Sequence, residues 1–369
     1  MSRKLALIAL ALVSGYSVPA MAYDFGPASM FSLNGFGTID EVHSNTNRFD
    51  FSNSSFQPRG AGFTEKWSPQ VDSLLGLQAT ANYGHLKAVV QAITKQDPDN
   101  HWRPVIEWAN LKYSFTSDFS IKAGRFAMPT YMGSDTRLLH YANTAVRPST
   151  ELYRLLPVTT TDGADISYSF NSGPIKHTAR VVGGKNTTRF ANGVFGNNKG
   201  IWAWVDDMEY GDFTAHLAYQ LRQNHLIYPP PTTQPVQTFK IADIGFNYDN
   251  GKWFVLVEGA RTWLHPILSA PALAYMINGG MRFGKFTPYL QYGKLKALDD
   301  TLTNGGRSAE GNTKTAGLRW DFYKNICLKT QYDHVTAQNG TRGNFIRAQP
   351  GAPVNGTADV ISIALDFVF

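Results

Sequence analysis

The segment from Met128 to Asp162 concentrates side chains that handle charge: Arg137, Arg147 and Arg154 stand among Asp135 and Glu151, with Tyr131, Tyr141 and Tyr153 interspersed and Arg125 just before them. Guanidinium groups hold carboxylates and phosphates through paired hydrogen bonds, and fixed charges around a narrow passage sort ions by sign. Bond-making chemistry has no comparable support. The nine His show no H-x-x-x-H spacing and Cys327 is the single cysteine, so neither a zinc site nor an intramolecular disulfide is expected. There is no G-x-S-x-G elbow and no G-x-x-x-x-G-K-[ST] loop. The formal charge of +6 is small and dispersed, which argues against a nucleic-acid partner. We therefore expect no enzyme, no metal and no cofactor.

The elements that must position these charges read as strands. Leu75, Leu77, Ala79, Ala81 and Tyr83 alternate with Gly76, Gln78, Thr80 and Asn82; Ile361, Ile363, Leu365, Phe367 and Phe369 alternate with Ser362, Ala364, Asp366 and Val368. This period of two marks a strand with two different faces. Sixteen such segments run from Phe31 to Phe369. Their connections alternate between tight turns, such as Gly84-His85, Gly211-Asp212 and Gly284-Lys285, and long loops, such as His43 to Gln70 and Ala337 to Asn355. One end tied by hairpin turns and the other by long loops is the layout of an up-and-down barrel. Tyr83, Phe115, Phe170, Tyr210, Tyr248, Phe283 and Phe322 sit beside the tight turns, where a membrane-interface girdle would place them.

Composition agrees: aromatics make up 13% of the chain, charged residues only 17%, and Gly numbers 33. The first residues carry Arg3 and Lys4, an apolar run Leu5 to Val13 and then Ala20-Met21-Ala22, the order of a cleavable secretory signal. We expect residues 1–22 to be that signal and 23–369 to be one barrel domain. No water reaches hydrocarbon, so a sheet crosses it only by closing on itself. About sixteen strands enclose a space wide enough for water, whereas about eight would be filled by side chains.

The last strand ends at Phe369, and Ile121-Lys122-Ala123-Gly124-Arg125 leads into Pro129, while Phe286-Thr287-Pro288-Tyr289-Leu290-Gln291-Tyr292-Gly293 forms a later strand. In these segments and in its end-to-end layout the chain resembles the general porins of Gram-negative bacteria. The resemblance implies an all-β, transmembrane antiparallel barrel of sixteen strands that assembles as a homotrimer in the outer membrane, among its lipid and lipopolysaccharide. It also implies that Phe369 is the signal read by the assembly machinery, and that the third long loop folds inward to narrow the pore. On this reading Arg125, Tyr131, Asp135, Arg137, Tyr141, Arg147, Glu151 and Arg154 are expected at the constriction.

Alternation places Lys87, Lys95, Lys112, Lys122, Lys176, Arg180, Arg222, Arg282, Arg319 and Lys329 on the inner wall, against Asp165, Asp243, Glu258, Asp321, Asp333 and Asp366. The excess of cations predicts passive diffusion of small hydrophilic solutes with a mild anion preference. A substrate-specific anion channel and a non-conducting receptor or adhesin on a barrel remain the alternatives. Two places break the pattern. Arg103 and Glu107 share the parity of the outward Ala109 and Leu111, so they lie above the hydrocarbon or a bulge shifts the register. Phe254 and Leu256 would face inward, for which we expect a subunit contact.

Overall fold

The computed structural model describes residues 23–25, 30–54, 56–156, 158–229, 232–233, 235–265, 271–299 and 309–369. The expected signal, residues 1–22, lies outside the described residues. Sixteen long strands form the wall: β1 Phe31–Ser44, β2 Leu74–Tyr83, β3 Leu86–Lys95, β4 Val105–Ser114, β5 Phe119–Ala127, β6 Thr160–Ser172, β7 Ile175–Arg189 and β8 Phe195–Tyr210. The second half follows as β9 Phe213–Tyr228, β10 Gln237–Asp249, β11 Trp253–His265, β12 Ala272–Met281, β13 Phe286–Ala297, β14 Gly311–Tyr323, β15 Ile326–Ala337 and β16 Thr357–Val368.

Every strand pairs antiparallel with its sequence neighbours, and β16 returns to β1 through Phe36↔Val368 to Ser44↔Val360, so the sheet has no free edge. Closure satisfies the backbone groups that an open edge would leave bare in hydrocarbon. The seam is sealed on its outer face by rings. The Phe369 and Phe367 rings lie over Gly35 and Gly37, where any larger side chain would collide with them. The Phe369 backbone exchanges hydrogen bonds with Gly35 at 2.7 and 2.8 Å. At the turn end, Gly84 and Gly211 take φ of +55° and +57°, a conformation that two-residue hairpin turns need and that glycine adopts without strain.

The expected two faces are present. Leu75, Leu77, Val90, Leu111, Ile166, Ile244, Leu290 and Ile363 point outward and are exposed, forming an apolar band. Tyr83, Phe115, Tyr210, Phe283 and Tyr323 are exposed beside the tight turns. One predicted boundary shifts for a physical reason. β4 begins at Val105, after Arg103, whose guanidinium is held in the preceding loop by Asp97 and Asp99 at 2.7 Å each. Register then slips between Gln91↔Trp108 and Ala92↔Ile106, so Glu107 is the extra residue of a bulge.

Candidate functional site in the barrel lumen

The third loop, Met128 to Thr159, leaves β5 and returns to β6 by crossing the lumen, and its sequence explains why it stays there. Met128, Tyr131, Leu152, Leu156 and Val158 are buried against inward Ile201, Ala203, Phe239, Ile241, Ala260, Ala274, Met276 and Leu295. Phe254 of β11 packs with Ala145 and Tyr289, and Leu256 packs against the larger cluster. These two inward apolar residues are therefore the seat of the loop, which overturns the expected subunit contact. Gly293 of β13 leaves the space that Ser149 and Glu151 occupy, next to the short helix α1, Thr150–Tyr153.

Polar anchors hold the rest of the loop. The Thr130 hydroxyl donates to Gln220 at 2.6 Å, and the Met132 amide donates to Glu258 at 2.6 Å. On the opposite wall, Lys329 is fully buried and donates to the carbonyls of His140, Asn143 and Ala145 at 2.8, 2.7 and 3.1 Å, beside Asp366 at 2.7 Å. Arg319 donates to the carbonyls of Tyr141 and Asn143 at 2.7 and 3.1 Å, and stacks over the Tyr141 ring. His140 Nδ1 lies 3.0 Å from the Thr38 hydroxyl, which itself donates to Asp366 at 2.7 Å. Burial pushes the His140 imidazole down to about 4, so it is neutral in this seat.

Arg147 is the strongest of these anchors. Its guanidinium meets Asp72 at 2.5 Å, Asp333 at 2.7 Å and the Ser362 hydroxyl at 2.6 Å, with its side chain only 3% exposed. Burial opposes its charge, but Asp72 and Asp333 outweigh burial and push the group up, so it stays protonated. Glu151 is likewise buried and accepts from Thr313 at 2.5 Å, Ser149 at 3.1 Å and Asn344 at 3.3 Å. Arg154 donates to the carbonyls of Asn344 and Ser52 at 2.5 and 3.3 Å, tying the loop to its neighbours; burial pushes it down to about 10, still cationic at neutral pH. The buried Tyr131 hydroxyl donates to Leu152 at 3.0 Å, and its ring stacks near Tyr153.

The expected constriction set thus divides. Tyr131, Arg147, Glu151 and Arg154 are struts that fix the loop. Arg125 does not face the lumen at all: it shares the parity of Ile121 and Ala123, opposite outward Ala109, and makes a bidentate pair with Asp162 at 2.7 and 2.9 Å. Asp135, Arg137 and Tyr141 do border open space. Together with Phe36, Trp108, Leu138 and Leu139 they line a cavity of about 560 Å³ toward the turn end. A second, smaller cavity of about 90 Å³ toward the loop end is lined by Lys95, Gln96, Arg147 and Arg154, among others. Arg137, Leu138 and Thr159 border both, so the two chambers meet at Arg137. Arg137 Nη2 lies 3.5 Å from Glu107, the bulge residue, which turns into the lumen instead of toward lipid. Sequence reasoning named the bulge as one explanation for Glu107 but did not place it in the site, and it passed over Trp108.

The pore-wall cations divide as well. Lys87, Lys112 and Lys122 stand side by side on one rung across β3, β4 and β5, and the same rung ends at Asp165 of β6. Asp165 is shared by Lys122 at 3.0 Å and Arg180 at 2.6 Å. Arg222, by contrast, is 2% exposed with its guanidinium 3.9 Å over the Phe239 ring. Arg282 pairs with Asp249 at 2.6 and 2.7 Å near the turn end, and Arg319 is taken up by loop 3 and Asp321.

No family model and no curated protein matches the chain. Among solved structures, Salmonella typhi OmpF in complex with daunomycin aligns with a TM-score of 0.63 at 14% identity, over 92% of this chain and 97% of that one. The outer membrane channel DcaP of Acinetobacter baumannii aligns at 0.61 and 12%, covering 94% and 99%. The anion-selective porin from Comamonas acidovorans aligns at 0.61 and 14%, covering 92% and 99%. In fold, this chain is a closed sixteen-stranded antiparallel barrel of the porin kind, crossed inside by its third loop.

Proposed function

We propose that this chain is an outer-membrane channel for passive diffusion of small hydrophilic solutes, with a mild preference for anions. The observation that carries the reading is the rung Lys87, Lys112 and Lys122. Like charges directly opposite one another on a sheet destabilise it. Here three ammonium groups share a rung with one carboxylate, Asp165, which Arg180 also claims. Such a row persists cheaply where water and mobile counter-ions reach it. Where the two chambers meet, Arg137 and Lys95 are balanced by Glu107 and Asp135, so the excess of cations belongs to the rung itself.

The reading includes export through residues 1–22, a single barrel domain over 23–369, insertion beside outer-membrane lipid and lipopolysaccharide, and Phe369 as the terminus read by the assembly machinery. It also includes a homotrimer. Purified protein in a planar bilayer tests it. We expect conductance steps in groups of three and, across a potassium chloride gradient, a reversal potential of the sign set by faster chloride passage. A cation-selective potential overturns the anion preference, and a silent bilayer overturns the channel.

A further inference from the structure

Five cations stand on the outer wall of the barrel where a charge meets lipid. Lys240 of β10, Arg261 of β11, Lys294 and Lys296 of β13 and Lys314 of β14 share the outward parity of exposed Ile244, Val257, Leu290 and Leu318. No Asp or Glu lies on this face of β10 to β14, and among the described residues no carboxylate pairs with any of the five. On β5 to β7 the chain answers its outward cations itself: Arg125 is held by Asp162, and Lys185 stands opposite the same residue. The counter-charge for the β10 to β14 face has to come from outside.

Register gathers these cations into one patch. Arg261 and Lys296 lie on a single rung, on either side of Leu273, about 10 Å apart at ordinary strand spacing. Lys294 is two residues from Lys296 on the same face and stands opposite Tyr275, while Lys314 stands opposite Tyr292. Lys240 is opposite Trp263, whose ring the Arg261 guanidinium covers at 4.9 Å. Rings of this kind seat where hydrocarbon meets headgroups, which fixes the depth of the patch. All five cations are in the loop-side half of their strands. The turn-side half of the same face carries no charge, from Phe246 and Trp253 to Ile277, Phe286 and Trp320. A long side chain reaching for water is served equally well at either end, whereas a preference for one end calls for negative charge in one leaflet.

We infer that the outer face of β10 to β14 is a binding site for a phosphorylated glycolipid of the loop-side leaflet. Its phosphates are held by Arg261, Lys294, Lys296 and Lys314, and its acyl chains lie along Val257, Ile277 and Leu290. Guanidinium and ammonium groups are the natural partners of phosphate oxygens, and the apolar residues below them match the hydrocarbon that the same lipid carries. The inference rests on the outer-membrane reading above and turns a general lipid surrounding into a particular lipid on a particular face.

The test is native mass spectrometry of the protein purified in neutral detergent and titrated with lipid A, the bisphosphorylated glycolipid anchor of lipopolysaccharide, or with lipid A stripped of its phosphates. We expect lipid A to be retained at about tenfold lower concentration than the stripped form. Lys294→Gln/Lys296→Gln/Lys314→Gln should raise the concentration needed by about tenfold or more, the loss of three charge contacts. Lys294→Arg/Lys296→Arg/Lys314→Arg should keep the lipid, which separates lost charge from a damaged barrel. Lys252→Gln/Lys324→Gln, at the turn end, should leave retention unchanged, which separates a site from net charge. Equal retention of the two lipids, or equal loss in the loop-side and turn-side Gln variants, overturns the inference. So does a loop-side Gln variant that keeps lipid A but falls apart as an oligomer, since a second copy of the chain then covers this face. Retention needs no current, so a silent bilayer overturns the channel alone, and failed retention leaves the channel standing.

Discussion

The two halves of the lumen are built from the same alternating strands, yet they do opposite things. From β8 to β16 many inward residues are apolar, as Ala203, Ile241, Ala260 and Met276 are, and several polar ones are spent on loop 3, as Lys329, Gln331 and Asp333 are. Among the inward residues of β3 to β6, Lys87 and Lys112 stay exposed and Lys122 is half-buried beside the buried Asp165, whereas Ile93 and Phe126 are covered by the loop. An inward charge is therefore not a pore charge by parity alone. What decides its role is whether the loop lies on it.

Breaking the filled half should cost the most. Arg147→Ala leaves Asp72 and Asp333 buried without their cation, at a cost of about 3–5 kcal/mol. We expect a lower thermal midpoint in detergent and larger, noisier conductance as the loop leaves its seat. Leu152→Ala, at a fully buried position, should cost about 2–4 kcal/mol by opening a cavity beneath the loop, with a smaller rise in conductance.

Acid should act on the same half. The folded pKa of His140, about 4, lies below the usual 6.5, so the unseated state takes up the proton first. The seat is at full strength above pH 6.5, weakens as pH falls, and has lost about 3 kcal/mol by pH 4. Current noise recorded against pH should rise through that window, and His140→Asn should flatten the rise. The open half should respond differently: Lys112→Gln should leave the folding stability within about 0.5 kcal/mol of the parent while moving the reversal potential.

The barrel itself was legible in the sequence. Period-two alternation, tight turns alternating with long loops and the terminal Phe369 are local signals, and they read out strand number and inward parity together. Loop 3 was legible as a long charged segment, and its inward path only through the family resemblance. The partners that bury Arg147 stand 75 and 186 residues away, at Asp72 and Asp333, and no local pattern announces them. Phe254 and Leu256 did carry a signal, since apolar residues facing water need a cover, but the cover they have is the chain's own loop. Arg125 was readable from its parity with Ala123 and was misplaced because it adjoins the loop. Glu107 depended on a bulge, and one extra residue in a strand leaves no mark in composition.

The central claim is that the uncovered lysine rung, and not the total of inward cations, sets the field that solutes cross. It is tested most directly by the reversal potential of Lys112→Glu/Lys122→Glu beside the parent in the same potassium chloride gradient. The account predicts a shift from anion toward cation preference with the barrel still folded. An unchanged potential in a folded, conducting variant would contradict it.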